Sequence, residues 1–331
     1  ERVRADIAQG DGGLGGCSCR ILSPSMHPDK LAGMNREQLR DRIGPWGADT
    51  FRTSFLSPSD AGRLARGLDE QGWPALWFAE IGLTEALSEA AHLLANSEDL
   101  IVVNAIARIG ERSPANAAAA HAYLQRAYEG RHVLGLGLGP LAREPGPMRV
   151  LNEWLDEFDQ ADERFGGEAT TMLAAYGPNM VQLGGSRSLG AMTFLVTPDH
   201  TANSRRLLGS EPVLVAEQAM VFTEDAADAR AIARAHTAPY VGSPPHERKF
   251  AALGFEPDDW IGGHSDRLID ALVAWGSVDD CITRLQQHRD AGADHVACCI
   301  LGTNSLRDDL DAHARLADAL GVCPRSSHES S

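Results

Sequence analysis

The chain has 331 residues, of which 43% are hydrophobic and 23% charged, enough apolar material for one large core or two smaller ones. Thirty basic residues against forty-six acidic ones leave a net charge of −16, which argues against nucleic acid or an anionic membrane as partner. No run of about 18 apolar residues offers a membrane span, and the composition excludes bulk disorder.

Lys30 and Lys249 are the only lysines, and neither stands in a phosphate-loop motif. Six cysteines (Cys17, Cys19, Cys281, Cys298, Cys299, Cys323) follow no C-x-x-C pattern, so no metal site is expected. Thiols this sparse and irregular, with no leader-like segment near the start, suggest a reducing cytoplasmic setting.

Residues 1–40 read as an N-terminal extension or arm. Gly10, Gly12 and Gly15 spell G-x-G-x-x-G, but with neither a strand before nor a helix after them, so no dinucleotide fold is expected there. From residue 41 to 302 short apolar runs alternate with amphipathic ones, the pattern of repeated βα units. Strands are predicted near 43–46 and over 74–80, 100–109, 132–139, 170–176, 191–196, 213–222 and 295–301. Helices are predicted between them, the first after a cap at Ser59 and a later one over 266–275. The glycines in HVLGLGLG mark places where backbone must approach something closely. The Pro- and Gly-rich stretch 243–263 is long enough to be an excursion over a barrel mouth. Residues 303–331 complete the chain as a helix and a polar tail. Eight strands, each followed by a helix, predict a closed (β/α)8 TIM barrel.

Several segments resemble the bacterial luciferase-like monooxygenase superfamily, most closely its coenzyme F420-dependent (deazaflavin) oxidoreductases of actinobacteria. The likeness rests on GPWGADTF, EQGWPALWFAE, NAIARIGERSPANAAAAH, AYEGRHVLGLG, LAAYGPNM, GAMTFLVTPDHT, VAEQAMVF and SDRLIDALVAWG followed by HRDAGADHV, in that order. It implies an oxidoreductase that binds F420, or alternatively FMN as a monooxygenase, acts on a small hydrophobic molecule and forms a homodimer. It also implies a cis non-proline peptide on the third strand, around residues 104–107.

In such a barrel the chemistry sits where the C-terminal strand ends meet the βα loops. Trp46, Glu80, Asn104, Gly137, Tyr176, Thr197 and Glu217 fall at or near those ends in the predicted register. The resemblance then suggests Trp46 and Glu80 as catalytic residues, one flanking the ring and one moving a proton. Asn104, Gly137, Tyr176, Gly177, Asn179 and Thr197 are its cofactor-binding candidates. Gly177 opens a helix after a strand, so free N–H groups and the positive helix end form an anion seat for the cofactor phosphate. Arg112 is as well suited to pairing with an acidic neighbour as to touching a ligand. His121, His132 and His236 read as packing residues, and His200 lies near the rim. One departure stands out: Leu138 and Gly139 occupy the place where many relatives carry a Ser-His pair. That departure supports a third reading, a cofactor-free barrel acting as a partner subunit or in non-redox chemistry.

Overall fold

The structure, a computed structural model, describes residues 33–240 and 242–323; the rest of the expected N-terminal arm and the polar tail lie outside them. Helix α1 (Arg36–Ile43) begins at a capping box in which the Asn35 side chain accepts from the Gln38 N–H and the Gln38 side chain accepts in return. Gly44, at φ 61°, ends it and turns the chain into β1 (Trp46–Thr50). There follow α2 (Pro58–Glu70), β2 (Ala75–Phe78), α3 (Ala86–Ala95), β3 (Ile101–Asn104), β4 (Ala107–Arg108) and α4 (Pro114–Ala127). The middle of the chain supplies β5 (His132–Gly137), α5 (Pro147–Asp162), β6 (Thr171–Ala174), α6 (Pro178–Arg187), β7 (Gly190–Thr193) and α7 (Pro198–Leu208). Then come β8 (Val213–Val221), α8 (Ala226–Thr237), α9 (Pro244–Ala252), α10 (Asp266–Leu272), β9 (Val273–Trp275), α11 (Val278–Asp290), β10 (His295–Ile300) and α12 (Leu306–Leu320).

All the ladders are parallel, and β10 pairs with both β8 and β1, closing the sheet into an eight-stranded barrel. The expected (β/α)8 architecture is therefore what the chain forms. β4 prolongs β3 beyond a cis peptide at Ala105–Ile106, where the resemblance placed one, and β9 is a short addition to the end of β8.

Inward-facing Trp77, Val103, Val133, Met172, Met192, Val215 and Ala297 pack as one interior cluster. Met34, Leu39 and Ile43 join it, so α1 closes one end of the barrel. A larger cluster fills the layer between the strands and the outer helices.

Three local expectations are corrected. The first strand lies at 46–50 rather than 43–46, because residues up to Ile43 form helix α1. Ser57 rather than Ser59 caps α2, accepting from the Asp60 N–H ahead of Pro58 in the first turn. The predicted helix over 266–275 stops at Leu272, and its last three residues pair with β8 as β9. The glycine reading holds: a Cβ on Gly135 would run into the Asn104 carbonyl oxygen, and one on Gly137 into the Ile106 side chain. Those two glycines make room for the cis bend beside them.

Candidate functional site

The shift of β1 decides the fate of Trp46. It begins the strand, opposite Val296, with Arg289 about 6.0 Å from its ring, and so lies on the rim away from the βα loops. The end of β1 that reaches the mouth carries Asp49 and Thr50 instead, with Phe51 just beyond it.

Glu80 does stand just past the end of β2, buried, but its carboxylate is fully engaged. Arg112 donates to both of its oxygens, one contact being 3.0 Å, and the Arg108 N–H donates at 2.7 Å. A buried carboxylate held by a guanidinium is a brace between the loops after β2 and β3, and the proton-moving role expected of it is not supported by this geometry. Arg112 is the structural partner its sequence context suggested.

Asn104 is also turned to structure. The Thr170 N–H donates to His121 Nε2, His121 Nδ1 donates to His132 Nδ1, His132 Nε2 donates to Asn104 Oδ1, and Asn104 Nδ2 donates to the Ala86 carbonyl. Only one tautomer of each ring satisfies this chain. Both rings are neutral, since burial pulls His121 down to about 3 and His132 well below the usual histidine range. Asn104, wholly buried, has no amide to offer a ligand at the mouth.

The corner at Tyr176–Asn179 joins the end of β6 to the start of α6. Gly177 is the N-cap of α6, no side chain caps the helix, and its first turn holds no acidic residue. Gly177, Pro178 and Asn179 are exposed. The φ of Gly177 is −87°, which any residue adopts, and an added Cβ would meet nothing within 4 Å. Neither the backbone nor packing requires glycine there; what it preserves is open space before the helix end. Tyr176 anchors the turn: His200 Nε2 donates to its carbonyl at 2.8 Å, and Ser204 bonds the other ring nitrogen at 3.2 Å. Thr197 caps α7 by accepting from the His200 N–H at 3.3 Å.

The predicted excursion forms α9, which lies over the mouth. Lys249 Nζ donates to the carbonyls of Phe194 (3.0 Å) and Leu195 (2.6 Å) and stands 4.6 Å from the centre of the Tyr176 ring. His246 packs on Tyr176 and Tyr240, with ring centres 5.1 and 5.5 Å away. Phe250 joins Ala219 and Cys299 in one apolar cluster. Burial pulls Lys249 down to about 7, partly offset by the negative charge of Glu217. The centre of the mouth is thus closed by α9, while the α6 corner beside it stays open. Two cations face this region without an ion pair among the described residues: Arg108 near Tyr240, and Arg143 near His246. A cavity of about 440 Å³ opens between α8 and α12, lined by Phe222, Ile232, Leu301 and Arg315, and none of the expected site residues lines it.

Beneath α9 the interior holds a group the sequence reading passed over. Asp49, Glu217 and Cys299 bring one ligand atom each within 4.8 Å of one another, all three buried. They come from three strands far apart in sequence, so no spacing motif announces them.

The luciferase-like monooxygenase family model matches residues 44–166, from the turn before β1 to just past α5. Over that part of the chain the barrel is similar to the luciferase-like type. Solved structures similar over most of their length agree. An F420-dependent secondary alcohol dehydrogenase bound to an F420-acetone adduct shares 15% identity (TM-score 0.61), over 85% of this chain and 99% of its own. The coenzyme F420-dependent tetrahydromethanopterin reductase of Methanopyrus kandleri shares 14% (TM-score 0.66), over 83% and 99%. The oxygenating constituent of 3,6-diketocamphane monooxygenase from Pseudomonas putida, in complex with FMN, shares 13% (TM-score 0.60), over 82% and 96%. At these identities the likeness concerns the fold. A comparison with curated proteins returns no significant match. No helix among the described residues is long and apolar enough to cross a membrane.

Proposed function

We propose that this luciferase-like barrel is an oxidoreductase that takes a phosphate-bearing tricyclic cofactor, F420 first and FMN as the alternative, and acts on a small organic molecule. One observation carries the reading: Gly177 keeps clear the space before an uncapped helix end that the fold would allow another residue to fill. The N–H groups of Asn179 and Met180 have no partner within the helix, and an anion held there meets both them and the positive helix end. Arg108 and Arg143 add local positive charge to a chain that is negative overall, drawing an anionic cofactor to this face.

When bound, the cofactor supplies the redox chemistry, a hydride from the deazaflavin or oxygen activation by the flavin. The chain's part is to orient and to exclude water. Gly135 and Gly137 set the floor by admitting the bend at residues 105–106. The ring edges of Tyr176 and His246 wall the mouth, and α9 covers it. A ring reaching that floor displaces α9, whose flanks carry Gly242, Gly254, Gly262 and Gly263, all at positive φ with open surroundings. Glu80 and Asn104 hold the scaffold, and Trp46 stays on the far rim.

The test is a titration of the purified chain with F420 and with FMN, followed by quenching of each cofactor's own fluorescence. Saturable quenching by one of them is expected. Failure of both would favour the cofactor-free reading that Leu138 and Gly139 first raised.

A further inference from the structure

Beyond the redox reading, and independent of it, we propose that Asp49, Glu217 and Cys299 bind one divalent transition-metal ion of the zinc class at the top of the barrel interior. The strand registers bring them together. Asp49 on β1 is the direct partner of Cys299 on β10, and Glu217 on β8 is the partner of Ala297 on the other side of β10. Because alternate residues of a strand face the same way, residues 297 and 299 both look into the barrel, and Glu217 and Asp49 meet Cys299 from either flank. One donor atom from each lies within 4.8 Å of the others.

Glu217 points to a ligand in its own right. It is 7% exposed; its Oε2 accepts from the Leu195 N–H at 3.2 Å, while its Oε1, buried, has no hydrogen-bond partner. A carboxylate oxygen left so is costly unless something occupies it. The nearby cation does not: Lys249 spends its hydrogen bonds on the carbonyls of Phe194 and Leu195 and makes no ion pair within 4.0 Å among the described residues. A cation binding there takes the place of the thiol proton, which leaves to solvent as the metal–sulfur bond forms. Two oxygens and a thiolate select a borderline-soft ion over magnesium or calcium, and three protein ligands leave a fourth position open. The site lies under α9 and the phosphate seat lies at the head of α6, so either can fail without the other.

The experiment titrates chelator-treated, full-length protein with Co²⁺ in weak buffer, recording absorbance and released protons together, then adds Zn²⁺. One equivalent of Co²⁺ should produce a thiolate-to-metal charge-transfer band with proton release, and Zn²⁺ should erase the band. Cys299→Ser should remove that band, Glu217→Gln should weaken binding roughly tenfold or more, and Cys281→Ala should change neither. Circular dichroism checks that the variants fold. Absence of both the band and the proton release in the unaltered chain would overturn the proposal, whatever the variants do. So would a band that survives in folded Cys299→Ser.

Discussion

Arg112 and Glu80 show how a residue's type misleads until its partners are known. A carboxylate at a strand's C-terminal end in a barrel invites a catalytic reading, and nothing in its neighbourhood in the sequence reveals that a guanidinium thirty-two residues on will claim both oxygens. Both side chains are nearly inaccessible, at 6% and 4% exposure. Removing one partner leaves a buried charge uncompensated, which costs far more than the pair contributes on its own. Arg112→Ala should therefore lose roughly 3–5 kcal/mol of stability, and the double variant Arg112→Ala with Glu80→Gln should lose less than the single changes summed. Urea unfolding measures both; a loss under about 1 kcal/mol for Arg112→Ala would show that water reaches the pair. The corner at Gly177 is the opposite case. Its geometry was legible because a strand end, a glycine and a helix start are consecutive in the chain. Asp49, Glu217 and Cys299 were not, because only barrel closure makes neighbours of β1, β8 and β10.

Among the elements, those with a clean period were readable and those whose signals overlap were not. Helix α7 and strand β10 lie where the pattern puts them to within a residue or so. Helix α1 leaves no periodic mark in the sequence because only Leu39 and Ile43 of its eight residues are buried, and without it the pattern sets β1 too early and Trp46 on the wrong rim. β9 was hidden because LIDALVAW has helical spacing throughout, and pairing with β8 overrides it. Helix α9 was anticipated only as an irregular excursion. It is held to the barrel by Lys249, whose amine bridges two carbonyls of the loop after β7, and by Phe250, its one residue in the apolar cluster to which α10 gives three. Amide exchange should be faster over α9 than over α10, whose Leu268, Ile269 and Leu272 are in the core. Lys249→Met should speed exchange in α9 and leave α10 unchanged. Equal protection of the two helices in the unaltered chain would show that α9 is an integral part of the body.

For the molecule as a whole, buried histidines set the response to acid. Burial pulls His121, His246 and His288 down to about 3 and His200, His236, His295 and His313 to about 4, with His132 lowered as well. In the unfolded chain each binds a proton near 6.5, so between about 6.5 and 4 the unfolded state holds more protons and stability falls with pH. Asp49 and Glu217 act the other way, since values raised to about 7 and about 8 let the folded state keep protons through the same window, and Asp162 and Asp309 are shifted in the same direction. The histidines outnumber them, and the net direction is loss. The thermal midpoint should drop steeply between pH 6.5 and about 4.5; a flat or rising midpoint would mean that these rings are protonated inside the fold.

At that same scale, the proposed function rests on an anionic tail seated at the head of α6. A structure of the chain bound to F420 or FMN tests this most directly, through the position of the cofactor's phosphorus. We expect its oxygens within hydrogen-bonding reach of the backbone N–H groups of Gly177, Asn179 and Met180, with α9 displaced from the floor. A phosphorus bound elsewhere, for example in the cavity beside Arg315, with the α6 corner holding only water, would contradict the account.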